Sequence, residues 1–301
     1  MTIAAAELRQ NDATPPNWGV RVCADDFGLS EAVNQGILAL VRLGRLDGVS
    51  CMAGGAAFVQ GAPALLEAVA AAPCKVEIGV HLTLSEFAPL GPMPRTAPEH
   101  CLPGIGTMLV RGVLGRLDGA EIGDELTRQV RRFREVLGRP PDFIDGHQHV
   151  HLVPGVSGVI AACREIWGAG TPWIRSCGCP TADLLRLPTD RAKAGFLAAL
   201  SVRSSRPGGI PTNPAFYGVN SFSVGEDFGA LMRGWLRLAA ARPSGALIMV
   251  HPGLAPNGAG GPRDVIAARR PQEFAYLAGD GFAQDRRQVS TQLRPQTADA
   301  G

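Results

Sequence analysis

The stretch Gly19-Val20-Arg21-Val22-Cys23-Ala24-Asp25-Asp26-Phe27-Gly28-Leu29, followed at once by Ser30-Glu31-Ala32-Val33-Asn34-Gln35-Gly36-Ile37-Leu38-Ala39-Leu40-Val41-Arg42-Leu43-Gly44, decides the fold. A short apolar run stops at two adjacent carboxylates, which reads as a buried strand with acids at its C-terminal end. Ser30 then opens a stretch in which Val33, Ile37, Leu40 and Val41 recur at helical spacing, and Gly44 can stop it. Strand followed by helix is one βα unit.

The pattern recurs outward from there. Short strands are expected at Val49–Met52, Val76–Leu84, Phe143–Asp145, Trp173–Arg175 and Ala246–Val250, and helices at 62–72, 120–137, 156–168 and 225–241. Repeated βα alternation predicts a mainly parallel sheet. The expected fold class is therefore α/β, a (β/α) barrel-like and irregular arrangement of parallel strands with outer helices. A single domain is expected over 18–285, between loose tails at 1–17 and 286–301. Proline-rich residues 85–105 and a Pro/Gly/Ser-rich stretch at 201–220 are expected as long loops, which are often functional.

Composition narrows the function classes. The chain has 301 residues, 29 basic and 27 acidic side chains and a net charge of +2. That balance offers no basic stripe for nucleic acid. The longest apolar runs fall far short of the roughly 20 residues that cross a bilayer. The start MTIAAAELRQND meets Glu7 and Arg9 too early for a signal peptide, so a cytoplasmic protein is expected. The seven cysteines (23, 51, 74, 101, 163, 177, 179) have no paired CxxC spacing and are expected as thiols; the CxC of Cys177 and Cys179 is read as loop or strand cysteines. A homo-oligomer is left open.

The sharpest chemical signal is Asp145-Gly146-His147-Gln148-His149-Val150-His151, which holds three of the six histidines at alternate positions. Alternate residues of a strand share a face, and a row of buried imidazoles needs partners. Neutral imidazole is a common ligand for divalent metals. Spacing alone does not say which of the three binds. Asp25-Asp26 is the second signal: one carboxylate can bind a metal while the other stays free as a base, although a turn or N-cap pair is the competing reading. His81 interrupts an apolar run and His251 ends one. No Gly-x-Ser-x-Gly elbow or phosphate-binding glycine loop competes. A metal-dependent hydrolase is the chemical class the residues favour.

Taken together, Ala24-Asp25-Asp26-Phe27-Gly28-Leu29-Ser30, Gly79-Val80-His81-Leu82, Asp145-Gly146-His147-Gln148-His149-Val150-His151 and His251-Pro252-Gly253 resemble the YdjC-like carbohydrate deacetylases, over roughly residues 19–283. The resemblance implies a β/α-barrel-like fold and one divalent ion, magnesium or zinc. It implies Asp26, His81 and His147 as metal ligands, Asp25 as general base and His251 as general acid. His149 and His151 would then lie behind the ligands or on the substrate side. The implied reaction removes an N-acetyl group from an amino-sugar or oligosaccharide substrate. The competing readings are a metal-dependent amidase or esterase on a non-sugar acyl substrate, and a non-catalytic metal- or sugar-binding barrel.

Overall fold

The computed structural model describes residues 18–163, 166, 172–204, 210–255 and 264–292. Seven strands form one sheet: β1 (Val20–Phe27), β2 (Gly48–Cys51), β3 (Glu77–Leu82), β4 (Phe143–Gly146), β5 (Trp173–Ile174), β6 (Phe216–Tyr217) and β7 (Ala246–Val250). Their order is β5-β4-β3-β2-β1-β7-β6, and every pairing is parallel. That order is the chain order read around a ring and opened between β5 and β6. The fold is thus an incomplete (β/α) barrel with helices outside, as the alternation predicts. The strands β2, β4 and β7 are buried along their whole length. This is why they read as continuous apolar runs and not as alternating ones.

The gap between the edge strands is bridged by loop backbone. Ile174 N–H donates to the Pro211 carbonyl at 3.0 Å, and Phe216 N–H to that of Gly178 at 2.9 Å. Between them the buried Asn213 amide accepts from Ser176 N–H at 2.7 Å and donates to the Ser176 and Ala215 carbonyls at 2.8 and 3.0 Å. Asn213→Leu would remove these three hydrogen bonds, each worth about 0.5–1.5 kcal/mol. We expect roughly 3 kcal/mol lost in urea unfolding; a loss under about 1 kcal/mol would show that the seam closes without this side chain.

The helices form where periodicity and caps agree. The first, α1 (Glu31–Arg42), is capped by Ser30, whose hydroxyl accepts from Val33 N–H, and buries Val33, Ile37, Leu40 and Val41. Gly44 follows with φ 65°, a turn that costs glycine little. The helix Gly119–Leu137 is capped by Asp118 and ends at left-handed Gly138; it buries Ile122, Leu126, Val130, Phe133 and Leu137. Each such side chain contributes roughly 1.5–3 kcal/mol on burial.

Some expectations change. The helix Arg191–Arg203 runs into the stretch expected as loop from 201, and Ile105–Val113 forms a helix at the end of the proline-rich stretch. The helix expected over 156–168 is described as Val156–Ala162. The helix Asp280–Gln292 crosses the boundary expected at 285; there Arg286 donates to the Arg45 carbonyl at 3.0 Å and pairs with Asp47 at 2.5 Å. The folded unit therefore extends at least to 292. The N-terminal tail 1–17 and residues 293–301 lie outside the described residues. Among the described residues no helix is long and apolar enough to cross a membrane.

Candidate active site

The first site feature is made by the backbone of β1. In a regular strand Asp25 and Asp26 would point to opposite faces. Here the register with β2 shifts between Ala24 and Phe27, and Asp26 takes φ 70°. Aspartate tolerates the left-handed region better than most residues, and bulges re-aim side chains beside sites. Both carboxylates end up buried at the same strand end, each 1% exposed.

Three side chains converge on Asp26. Its Oδ1 lies 2.9 Å from His147 Nδ1 and 3.4 Å from His81 Nε2. One ligand atom each from Asp26, His81 and His147 lies within 4.8 Å of the others. The other carboxylate oxygen, Oδ2, accepts from Arg270 Nη2 at 2.7 Å. Burial works against the Asp26 charge, but Arg270 and His147 outweigh it and hold the carboxyl well below its usual range.

His81 is oriented from behind. Its Nδ1 meets Asp145 Oδ1 at 2.7 Å, and Ser50 Oγ donates to the same carboxylate oxygen. This leaves Nε2 facing Asp26. Burial would lower the His81 pKa, yet Asp145 and then Asp25 push it up to about 10. The field at this spot favours a cation. A carboxylate oxygen and two imidazole nitrogens, one of them fixed by a second carboxylate, suit a divalent metal ion. The residues present fit the ion expected from sequence.

A second cluster, Cys23, Asp25 and Asp145, also gathers within 4.8 Å, but a guanidinium occupies it. Arg175 Nη1 and Nη2 grip the two Asp25 oxygens at 2.6 and 2.7 Å, and Nη2 reaches Asp145 Oδ2 at 2.5 Å and Cys23 Sγ at 3.3 Å. Burial pushes the Cys23 thiol well up. Arg175 is therefore the cation of this cluster.

The alternating histidines do not share a face. The strand β4 ends at Gly146, and His147–Leu152 is a tight 3-10 segment with Gln148 at φ 51° and His149 at φ 59°. The expectation of a strand-like row of imidazoles is corrected: two left-handed residues in succession swing each ring to a different neighbour. His147 faces Asp26. His149 Nδ1 sits 3.4 Å from Cys177 Sγ, with its ring 5.8 Å from Phe216. His151 Nε2 lies 3.2 Å from the Arg175 carbonyl. Burial lowers the pKa of both, that of His151 to about 4. His151 thus lies behind the cluster, holding the backbone of the residue that grips Asp25.

His251 follows β7. Its backbone N–H donates to Glu273 Oε2 at 2.6 Å, and its carbonyl accepts from Arg270 Nη1 at 3.5 Å. Burial lowers its pKa to about 4, against the pull of Asp26 and Asp25. Burial also raises Glu273 to about 7. One connected set of contacts therefore runs from Asp25 through Arg175, Asp145, His81 and Asp26 to Arg270 and the His251 backbone.

Ser50, Arg175, Arg270 and Glu273 were not among the sequence candidates. Arg175 had a signal, a cation at the end of an apolar strand, on the same rim as the acids. Arg270 and Glu273 had none, because they lie on a helix whose first turn meets the site only in three dimensions. The wall above His147 comes from the proline-rich stretch. The Phe87 ring lies 5.5 Å from that of His147, and Glu86, in the left-handed region, accepts from Gln148 Nε2 at 2.9 Å. The helix Gly119–Leu137 anchors this stretch through Glu125, which accepts from Leu90 N–H, and Glu121, which accepts from the N–H groups of Arg95 and Thr96.

Comparison with known proteins agrees with this architecture. The family model described as YdjC-like protein matches residues 19–288. A carbohydrate deacetylase from Mus musculus is 31% identical over 263 residues, 79% of each chain. A chitooligosaccharide deacetylase from Serratia marcescens is 37% identical over 148 residues, 49% of this chain and 56% of its own. Among solved structures, a proposed cellobiose-phosphate cleavage protein from Enterococcus faecalis V583 shares the fold, with TM-score 0.65 at 18% identity over 91% of this chain and 95% of that one. With a family match that takes in all seven strands and every residue of the converging cluster, the chain belongs to the YdjC-like family.

Proposed function

We propose that this protein is a carbohydrate deacetylase that uses one divalent ion to hydrolyse the N-acetyl group of an amino-sugar or oligosaccharide substrate. The observation that carries the reading is the meeting of Asp26, His81 and His147 around one carboxylate oxygen, with Asp25 and His251 tied to the same cluster. The carbohydrate deacetylase relatives supply the substrate class.

Asp26, His81 and His147 would hold the ion. When bound, a divalent ion of the zinc or magnesium type polarises an acyl carbonyl and lowers the pKa of a neighbouring water. Asp25 accepts the proton of the attacking water, and Arg175 fixes its direction. A new C–O bond forms at the acyl carbon, and the C–N bond then breaks. An amine leaves only when protonated, and His251 gives the nitrogen its proton. Burial keeps His251 neutral at rest, so the proton it gives to nitrogen is the one Asp25 takes from the water, passed on to His251 before the C–N bond breaks. Asp25 returns to a carboxylate and His251 to its neutral form. The products are acetate and a free amino sugar.

The test is acetate release from a panel of N-acetylated sugars, after chelation and again after adding back zinc or magnesium. Chelated protein should be inactive and one of the two ions should restore it; undiminished activity after full metal removal would end the metal reading. Asp25→Asn should keep its metal but lose typically 10²–10⁴-fold in kcat. Since the new amide turns an N–H donor toward Arg175 where a carboxylate oxygen accepted, unfolding is measured on the same sample. A folded, metal-loaded Asp25→Asn with the parent rate would show that another group is the base.

A further inference from the structure

Phe222 stands out by its backbone. It has φ 57°, an outlier for a bulky residue that cannot use the local hydrogen bonds of Asn or Asp. Glycine or asparagine would take this conformation without strain, so the turn does not itself call for an aromatic. Strain of this kind persists only where the surroundings over-determine it.

They do so here. Asn220 Oδ1 accepts from Phe222 N–H at 2.7 Å, while Asn220 Nδ2 donates to the Gly218 carbonyl at 3.0 Å. On the far side of the turn, buried Arg269 Nη1 donates to the carbonyls of Ser223 at 2.9 Å and Glu226 at 2.6 Å. Lys193 Nζ lies 4.9 Å from the Phe222 ring centroid and donates to the Asn220 carbonyl at 3.3 Å. What this scaffold places is the phenyl ring, perpendicular to the His251 imidazole with centroids 5.1 Å apart. Beside it, His251 Nδ1 is buried with no hydrogen-bond partner among the described residues. An imidazole fixed only at its backbone needs packing to set its ring.

We infer that Phe222, held in a strained turn by Asn220, Lys193 and Arg269, is a positioning residue that fixes the His251 ring and shields its Nδ1 from water. The inference rests on the reading of His251 as the proton donor. Asp25, Asp26, His81 and Arg270 act on the ring electrostatically, and Glu273 holds its backbone. Lys193 stands behind Phe222. Of these neighbours, the phenyl ring is the apolar one packed against the imidazole.

The experiment compares Phe222→Ala, Phe222→Leu, Phe222→Tyr and His251→Ala in the full chain. Steady-state kinetics use the N-acetylated sugar that the parent turns over fastest, and ¹⁵N-histidine NMR follows the His251 titration. Phe222→Ala should lower kcat at least tenfold, on the way to the ~100-fold scale of a misplaced catalytic group. KM should stay within about twofold, and the His251 midpoint should rise toward the ordinary imidazole value of about 6.5. Phe222→Tyr should restore both; if Phe222→Ala does not fold, Phe222→Leu carries the same readings. An unchanged kcat and midpoint, or an effect on KM alone, overturns the positioning role. A fully active His251→Ala would remove the donor reading and this inference with it, whereas an inactive His251→Ala beside an unaffected Phe222→Ala overturns this inference alone.

Discussion

Arg175→Met is expected to destabilise the protein by about 3–5 kcal/mol, the cost of breaking a buried charge cluster from one side. The guanidinium is fully buried and binds both Asp25 oxygens and Asp145 Oδ2 at 2.5–2.7 Å. Without it, two carboxylates with almost no exposure face each other with no cation between them. Methionine fills much of the volume but cannot neutralise either charge. Equilibrium urea unfolding at neutral pH measures the loss. The loss should shrink on acidification. Burial works against the Asp145 charge, and Arg175 is the main influence holding its carboxyl below the usual range. The stability this gives the parent is present at neutral pH and is lost as pH falls toward the folded-state pKa, so the difference between parent and variant narrows. Adding Asp25→Asn to Arg175→Met should cost less than the two single changes together, because the groups share one network. A loss under about 1 kcal/mol for Arg175→Met would mean that the cluster tolerates its negative charge by another route.

His147→Ala and Asp26→Asn are expected to abolish activity together with metal binding. Outer partners of a metal site typically cost 10–100-fold in affinity when removed, and a lost ligand should exceed about 100-fold. Both variants should fold. In Asp26→Asn, Arg270 keeps Asp264, which accepts from Nε at 2.6 Å and from Nη2 at 3.2 Å, so the buried guanidinium is not orphaned. His147 is partly exposed at the strand end, so removing its ring leaves no sealed cavity. Titration of zinc into metal-free protein, followed by calorimetry, gives the affinity. Parent-like affinity in His147→Ala would take His147 out of the ligand set and leave Asp26 and His81 short of a third protein donor.

Much of this site was legible along the chain. Apolar runs that end in Asp25-Asp26 or His251, carry His81, or lead into His147 place those residues on one rim, since parallel strands bring their C-terminal ends together. The spacing of Asp145-Gly146-His147-Gln148-His149-Val150-His151 did not reveal that the His147 ring turns to Asp26 and away from the other two, whose centroids stay 6.3 Å apart. That outcome depends on the left-handed Gln148 and His149, and nothing in the residue types announces them. The Ser50–Asp145–His81 contacts join three separate strands, so no local window contains them.

From the sequence alone came the βα alternation, the buried strands and the set of strand-end acids and histidines, because period and polarity are local properties of the chain. Tertiary structure decided which groups act on which: the bulge that turns Asp25 and Asp26 to one side, Arg175 as the cation between two carboxylates, and Arg270 and Glu273 reaching in from a distant helix. Those choices depend on which charges are desolvated together, and that is settled only when segments far apart in the chain share one buried volume.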